Sequence, residues 1–505
     1  MLAGLIPFID QLQNISLKSY LPSWIPKPET LLFCSLPFAA FFSCVFIVYW
    51  LLPWKRARVY LLLAASFAFY ACWNEWLAIL ITFTTMLDYF LARAMEGSAS
   101  DLRRKGMLIL SLVVNLGLLC YFKYANFFLR SVEDACHAAG WSASMPLLQV
   151  ILPFGISFYT FEAINYTIDV YRRKVPAERN LANFMLFILF FPHLIAGPIV
   201  RSRDFLPQTR RTKRWNWARM ELGVQFFLMG MFKKLVIADR LGEYFVKPVF
   251  DDPSQFSSTA TWLAVVAYAL QIYGDFSGYT DMALGTAHLL GYKLAQNFNM
   301  PYFAANVSEF WRRWHISLSS WLRDYLFIPL GGSRGSNWQT NRNLMITMAL
   351  GGLWHGASWT FIVWGILHGL FLIVHRGFRD FCKTRPRLDF ALQSPPGTVL
   401  CVLATFLSVC VGWVFFGSKT FAGAATILHR MVVPHAGQGV LIAKSSLWAT
   451  IAVLIICHFV AQRGWWTKLA PRLPAPALGF GYAVLLSLTL VLAPDSGKAF
   501  IYFQF

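Results

Sequence analysis

Residues Phe310–Gly332 read FWRRWHISLSSWLRDYLFIPLGG, and a little further on Gly351–Gly369 read GGLWHGASWTFIVWGILHG. These segments place His315 and His355 among tryptophans, the first beside a cluster of charged residues and the second inside an apolar run. An ionisable side chain at membrane depth is energetically costly, and it therefore indicates a functional site. We expect the rest of the chain to form the scaffold that holds these two histidines.

The composition excludes an ordinary soluble enzyme. Of 505 residues, 57% are hydrophobic and only 13% are charged, whereas soluble domains carry about 25% charged residues. Apolar runs of about 17 to 25 residues, the length that crosses a bilayer, recur along most of the chain. The sequence therefore predicts an all-α polytopic membrane protein with roughly eleven or twelve helices at membrane depth.

The positive charge predicts the orientation in the membrane. Lys and Arg number 44 against 24 Asp and Glu, which gives a formal net charge of +20. Basic residues are retained on the cytoplasmic side, so the loops at Lys55–Arg58 and Arg103–Lys105 belong there and the N-terminus is predicted to be extracytoplasmic. No soluble basic domain is visible, so nucleic acid is not an expected partner, whereas membrane lipid is.

The chain divides into three predicted parts. Residues 1–30 are a proline-containing extracytoplasmic or interfacial lead-in, 31–376 form the core that carries both histidines, and 377–505 add further membrane helices. Within the core, the apolar segment Leu181–Val200 is interrupted by prolines and has basic residues on both sides. We interpret it as a broken or re-entrant segment, which membranes tolerate only where protein or a water-filled cavity surrounds it.

His315 is predicted to lie on an interfacial helix. If Glu309–Phe327 is one helix, His315 shares a face with Trp311 and Leu322, beside a polar stripe that contains Arg313. A helix with arginines on one side and tryptophans on the other suits the membrane interface. A histidine that is simply hydrogen-bonded within the packing remains the alternative.

His355 is predicted to be a general base. Glycines surround it, and small residues let another backbone or a ligand approach closely. Imidazole is the side chain whose charge changes near neutral pH, and burial favours its neutral, proton-accepting form. The alternative is a structural histidine bonded to a carbonyl. His368 lies about 220° further round an unbroken helix, so we class it as structural or supporting.

Asp275 and His193 each have more than one possible interpretation. Asp275 lies in YGDFSGYTD, whose glycines suggest a broken helix, and it is either structural or lines the site. His193, His315 and His355 could in principle hold a metal, but no ligand pair at helical spacing supports one, so no metal is predicted. The nine cysteines form no CxxC pair and suggest no zinc or disulfide framework.

Several longer motifs are specific enough to carry a family resemblance. They are LPFGISFYTFE at 152–162, FFPHLIAGPIVR at 190–201, QIYGDFSGYTDMA at 271–283, NFNMPY at 297–302, EFWRRWHISLSSWLRDY at 309–325, GGLWHGASW at 351–359 and the terminal FIYFQF. With these motifs the chain resembles the membrane-bound O-acyltransferase (MBOAT) family, and within it the bacterial alginate O-acetyltransferase-like branch. The resemblance implies a ring of helices around a central tunnel, which an acyl thioester enters from the cytoplasm and a hydroxyl acceptor from the other face.

The resemblance also implies roles for the histidines. His355 would activate the acceptor hydroxyl, and His315 would orient the thioester or stabilise the developing oxyanion. Arg312, Arg313 and Arg323 could steer a phosphate of the donor. The remaining expected substrate- or tunnel-lining residues are Trp311, Trp314, Trp354, Asp275 and His193.

The expected function is transfer of an acetyl or similar acyl group across the bacterial inner membrane to an exported or cell-surface polysaccharide. The donor would be acetyl-CoA or a similar thioester as co-substrate, with no bound cofactor. The expected partners are a periplasmic acyltransferase and the polysaccharide assembly machinery. Action on peptidoglycan or teichoic-acid intermediates is an alternative. A second alternative, from a different functional class, is a membrane transporter that moves its substrate without a chemical reaction, although no internal repeat supports it.

Overall fold

A computed structural model describes residues 31–72, 75–195, 197–440 and 444–494. These residues are mainly helical, and among them the only β pairing is an isolated bridge between Phe256 and Gln438. The predicted lead-in at 1–30 and the terminal FIYFQF lie outside the described residues.

The helices in chain order begin with α1 Leu36–Leu51, α2 Lys55–Ala71, α3 Glu75–Gly97, α4 Asp101–Leu119, α5 Ala125–Ala138, α6 Ile156–Tyr171, α7 Leu181–Leu189, α8 Phe191–Leu194, α9 Ser202–Thr209 and α10 Trp217–Phe232. They continue with α11 Lys247–Asp251, α12 Ser258–Leu289, α13 Val307–Arg313, α14 Ile316–Leu322, α15 Asn337–His355, α16 Trp359–Lys383, α17 Pro386–Gln393, α18 Pro395–Gly417, α19 Phe421–Val432, α20 Lys444–Gln462, α21 Trp465–Leu469 and α22 Ala475–Leu492. Wider π-helical turns occupy Cys120–Tyr124, Lys233–Asp239, Gly242–Val246 and Arg323–Phe327.

Six stretches of helix in the described part are long and apolar enough to cross a membrane. They are Trp76–Gly97, Asp101–Ala138, Trp359–Lys383, Pro395–Gly417, Lys444–Gln462 and Ala475–Leu492, and the apolar α1 is shorter. This count is below the predicted eleven or twelve, because several predicted spans form short helices: α6 has 16 residues and α7 has nine. The all-α, multi-pass membrane fold is confirmed, and the ring around a central tunnel stays a prediction.

The described residues form two compact units, one within the segments 1–223 and 283–294 and the other within the segments 224–282 and 295–505. Both histidines of interest, His315 and His355, belong to the second unit. The predicted domain boundary at residue 376 stays a prediction.

In the first unit, the interrupted segment at 181–200 is broken as predicted, since the chain leaves helical geometry after α7 and again after α8. Side chains of neighbouring helices bond the backbone groups released by these breaks. Ser66 Oγ accepts from the Phe191 N–H at 3.0 Å, Glu162 accepts from the Val200 N–H at 2.8 Å, and Asn165 donates to the Val200 carbonyl at 3.1 Å. An irregular backbone in an apolar environment needs such partners.

In the second unit, α15 and α16 pack at backbone contact. A Cβ at Gly352 would lie 2.2 Å from the Phe361 carbonyl oxygen, and one at Gly365 would lie 2.3 Å from the Met348 carbonyl oxygen. Only glycine allows this approach. The close approach predicted around His355 is therefore made by another helix of the same chain.

Candidate active site

The segment that carries His315 is not one helix. Helix α13 ends at Arg313, α14 begins at Ile316, and His315 between them has φ 43° and ψ 55°, in the left-handed region. The predicted continuous helix from Glu309 to Phe327, and the face derived from it, are therefore wrong. The cause is a long-range contact, because Asn297 accepts the N–H of Ile316 with its carbonyl at 2.9 Å and that of Ser317 with its side chain at 3.2 Å.

The His315 imidazole is fully buried, with 0% exposure. Its ring meets the Phe276 ring nearly at right angles, with centroids 4.6 Å apart. Neither ring nitrogen has a hydrogen-bond partner among the described residues. Buried polar atoms are almost always bonded, so two unbonded nitrogens on one ring call for an explanation. Burial without a counter-charge favours the neutral imidazole.

His355 is the last residue of α15, and the chain turns sharply there. Gly356 is extended, and a Cβ on it would lie 2.2 Å from the Phe361 ring, so the turn depends on a glycine. The His355 ring meets Trp364 at 5.1 Å and Phe416 at 5.4 Å between centroids. Its exposure is 4%, and so a small part of its surface remains open.

The two imidazoles lie side by side. Their ring centroids are 6.3 Å apart, and the Trp354 ring lies 6.0 Å from His315 and 5.0 Å from His355. Hydrogen bonds from nitrogen to oxygen span about 2.7–3.2 Å. One oxygen atom between the rings would therefore reach both of them where a nitrogen of each ring faces the gap.

The other predicted aromatic residues join this cluster from the side of α13. Trp314 is buried, with its ring 5.1 Å from that of Trp413. Trp311 is half-buried and lies 5.8 Å from Trp364. Since Trp364 also contacts His355 and stacks on Trp413, ring contacts connect these tryptophans to the histidine pair.

Two of the three predicted arginines have carboxylate partners. Arg313 pairs with Glu309 at 2.6 Å, and Arg323 pairs with Asp324 at 2.8 Å. Arg312 is exposed and has no carboxylate partner among the described residues. Of the three, Arg312 is the one whose charge is not already offset.

Asp275 lies in an ion-pair cluster rather than beside the histidines. Lys234 Nζ lies 2.5 Å from Asp275 and 2.8 Å from Asp239. These contacts favour the structural interpretation of Asp275. The next residue, Phe276, is the one that touches His315.

His193 belongs to the first unit, where its Nδ1 lies 3.4 Å from Glu162 and its exposure is 1%. Its predicted place in the tunnel lining stays a prediction. The described residues contain no group of three or more His, Cys, Asp or Glu that could hold a metal ion.

Sequence reasoning missed several residues of the cluster. Phe276 and Asn297 lie within the quoted motifs, but nothing in their spacing connects them to His315. Trp364 and Phe416 look like ordinary membrane-span aromatics. His368, which the sequence predicts to be structural or supporting, lies with its ring centroid 4.9 Å from that of Trp364.

Comparison with known proteins places this site in a family. Residues 172–415, which include both histidines, match the model of the membrane-bound O-acyltransferase family. A probable alginate O-acetylase of Azotobacter vinelandii is 43% identical over 77% of this chain and 75% of the relative. The chain belongs to the membrane-bound O-acyltransferase family. As an MBOAT protein, it is a multi-pass membrane O-acyltransferase.

Two further relatives cover most of the chain. A probable alginate O-acetylase of Pseudomonas putida is 36% identical over 94% of this MBOAT chain and 100% of the relative. A peptidoglycan O-acetyltransferase of Helicobacter pylori is 38% identical over 74% of this chain and 73% of the relative. These relatives are named for different acceptors.

Proposed function

We propose that this protein transfers an acetyl or similar acyl group from a cytoplasmic thioester to the hydroxyl groups of an exported or cell-surface polysaccharide. The relatives named as alginate O-acetylases, one of them similar along its whole length, support a polysaccharide as the final acceptor. The reaction centre is the pair formed by His315 and His355. The observation that carries the proposal is the 6.3 Å separation of these buried rings.

His355 acts as the general base. A neutral imidazole takes the proton from the acceptor hydroxyl as its oxygen attacks the thioester carbonyl, and general-base assistance contributes about 10²–10⁴-fold to such steps. The new C–O bond forms, the C–S bond breaks, and the proton passes to the leaving thiolate to give the free thiol. The slight exposure of His355 supports its role as the proton acceptor.

His315 holds the carbonyl. Its ring nitrogens have no partner among the described residues, so an N–H there is available to donate to the oxygen on which negative charge develops. Pre-oriented donors of this kind stabilise acyl-transfer transition states. Trp354, in contact with both rings, and Trp364 exclude water, which would otherwise hydrolyse the thioester.

The proposed setting is the bacterial inner membrane with the N-terminus outside. The donor is acetyl-CoA or a similar thioester on the cytoplasmic side, and Arg312 could contact its phosphate. A periplasmic acyltransferase, working with the polysaccharide assembly machinery, then passes the acyl group on to the polysaccharide.

Peptidoglycan is the second candidate acceptor, favoured by the Helicobacter pylori relative. Teichoic-acid intermediates are a third. The transporter alternative predicts that the thioester stays intact.

The test uses inverted membrane vesicles that carry the full chain in their membrane. Acetyl-CoA with a labelled acetyl group is added outside, at the cytoplasmic face, and either alginate or peptidoglycan fragments are sealed inside. We expect label to move to one acceptor with release of free thiol, and His355→Ala to reduce the rate by about 10²–10⁴-fold. His315→Ala should also lower the rate. His435→Ala, at an exposed loop position, is the matched control and should not. Full transfer by the His355 variant would refute the assignment, and movement without thiol release would support a transporter.

A further inference from the structure

The first unit contains a small cavity on a face that is rich in positive charge. Its volume is about 180 Å³, and it is lined by Lys55, Arg56, Val59, Tyr60, Asn180, Ala182, Asn183, Thr209 and Arg210. These residues come from three segments that are far apart in sequence. The positive-inside rule places the basic residues of these segments in the cytoplasm.

The lining supplies hydrogen-bond donors and lacks an acid. Lys55, Arg56 and Arg210 bring three cationic groups, and the side-chain amides of Asn180 and Asn183 bring further N–H donors. None of the lining residues is Asp or Glu. An array of this composition is suited to an anion.

One of the three charges is already offset within the protein. The buried Glu178 carboxylate pairs with Arg210 at 2.6 Å and accepts the N–H groups of Arg179 and Asn180 at 3.0 Å. Lys55 donates to the Arg210 carbonyl at 3.1 Å, which leaves its charge unbalanced. Arg56 has neither an ion pair nor a side-chain hydrogen bond among the described residues.

The local backbone adds to this excess of positive charge. Lys55 and Arg56 are the first two residues of α2, a helix of 17 residues with no acid in its first turn and no side-chain cap. The N-terminal end of a helix is itself partly positive, so cations there are unfavourable unless an anion lies close by.

The size of the cavity limits what it can hold. A water molecule occupies about 30 Å³, and pockets for drug-sized ligands have about 300–1,000 Å³. A volume of about 180 Å³ therefore has room for one phosphate group with a few waters. Because Lys55, Arg56 and Arg210 are exposed, the rest of a larger phosphorylated molecule would stay outside the cavity. A tetrahedral phosphate presents several acceptor oxygens in different directions, which matches donors that come from three segments.

We propose that this cavity is a binding site for a phosphate group, with Lys55 and Arg56 as its main ligands. The phosphate belongs either to a soluble molecule, such as a phosphorylated acyl donor, or to the head group of an anionic lipid. The site is separate from the chemistry of the histidine pair, and its test requires no acyl transfer.

The test compares three forms of the full chain in phosphatidylcholine nanodiscs: wild type, K55Q/R56Q, and the control R103Q/K105Q. The control removes the same charge from exposed residues near the start of α4, which are also predicted to be cytoplasmic. Binding of adenosine 3′,5′-bisphosphate and of inorganic phosphate is measured by calorimetry at two salt concentrations. Retention of phosphatidylglycerol is measured by native mass spectrometry.

For a soluble phosphate, we expect K55Q/R56Q to bind the bisphosphate at least about tenfold more weakly than wild type and control, with affinity falling as salt rises. For a lipid phosphate, the double variant instead loses phosphatidylglycerol that the control retains. Equal behaviour of all three forms, or equal loss in both variants, would overturn the proposal. If K55Q/R56Q does not fold, R56Q alone should show part of the same loss, and unchanged binding by R56Q would count against the site.

Discussion

The contact between α15 and α16 predicts opposite effects for two neighbouring glycines. In Gly352→Ala the new Cβ would lie 2.2 Å from the Phe361 carbonyl oxygen, whereas ordinary contact begins at 3.4 Å. The two helices must therefore separate locally by about 1 Å. In Gly351→Ala the new Cβ would meet only the flexible end of Leu322, at 3.2 Å.

The magnitudes follow from these distances. Overpacking costs about 1–3 kcal/mol, and the upper end applies to Gly352 because a backbone oxygen cannot rotate away. The gain in helix propensity from Gly to Ala is about 1 kcal/mol, so Gly352→Ala should destabilise by about 2 kcal/mol. Gly351→Ala should be neutral or stabilising by up to about 1 kcal/mol. Since His355 lies on the same last turn, a shift of about 1 Å should reduce acyl transfer about 10²-fold in Gly352→Ala alone.

Two measurements check this pair of variants. Thermal unfolding in detergent reports stability, and labelled acetyl transfer in vesicles reports activity. If Gly352→Ala had the same melting temperature and the same activity as wild type, the close packing of the two helices would be refuted. Equal damage from both substitutions would show that glycine flexibility, rather than helix contact, is what matters.

Two further predictions concern charged residues. Lys234→Met removes the cation that pairs with the buried Asp275 and should lower the free energy of unfolding by about 3–5 kcal/mol. Arg323→Gln, at an ion pair in which the arginine side chain is 62% exposed, should change it by at most about 1 kcal/mol. Melting temperatures report both effects, and equal melting temperatures for the two variants would contradict the prediction. In the loop before α10, burial and, to a smaller extent, the nearby Arg219 and another arginine lower the pKa of Lys213 to about 8. The uncharged form of Lys213, which reacts with acylating reagents, should therefore appear as pH rises through about 8. Competitive labelling with acetic anhydride followed by mass spectrometry should show this midpoint in wild type and a higher midpoint in Arg219→Gln. A wild-type midpoint above 10 would contradict the prediction.

The features that were predictable from sequence are those with a local signal. Glycines at 351, 352 and 356 predicted a close approach beside His355, and the structure shows that approach at Gly352. Pro192 and Pro198 predicted the interruption of Leu181–Val200. The apolar runs predicted a multi-pass helical protein, because span length and hydropathy are properties of single segments.

The features that were not predictable depend on distant residues. No glycine or proline marks the break at His315, since the break is held by hydrogen bonds to Asn297. Asp275 could not be assigned from its own motif, because its partner Lys234 lies on another segment. Helical periodicity describes only the residues of one continuous helix, and it fails where tertiary hydrogen bonds interrupt that helix.

The left-handed backbone at His315 has a consequence for protein engineering. A non-glycine residue held in that conformation costs about 1–3 kcal/mol, whereas glycine, and to a lesser degree asparagine, adopts it more cheaply. Selection of a variant library for heat resistance alone would thus favour glycine or asparagine in place of His315, the imidazole that we place beside the thioester. Directed evolution of a sturdier variant should therefore score turnover in every round, since at this position thermal robustness and catalysis favour different residues.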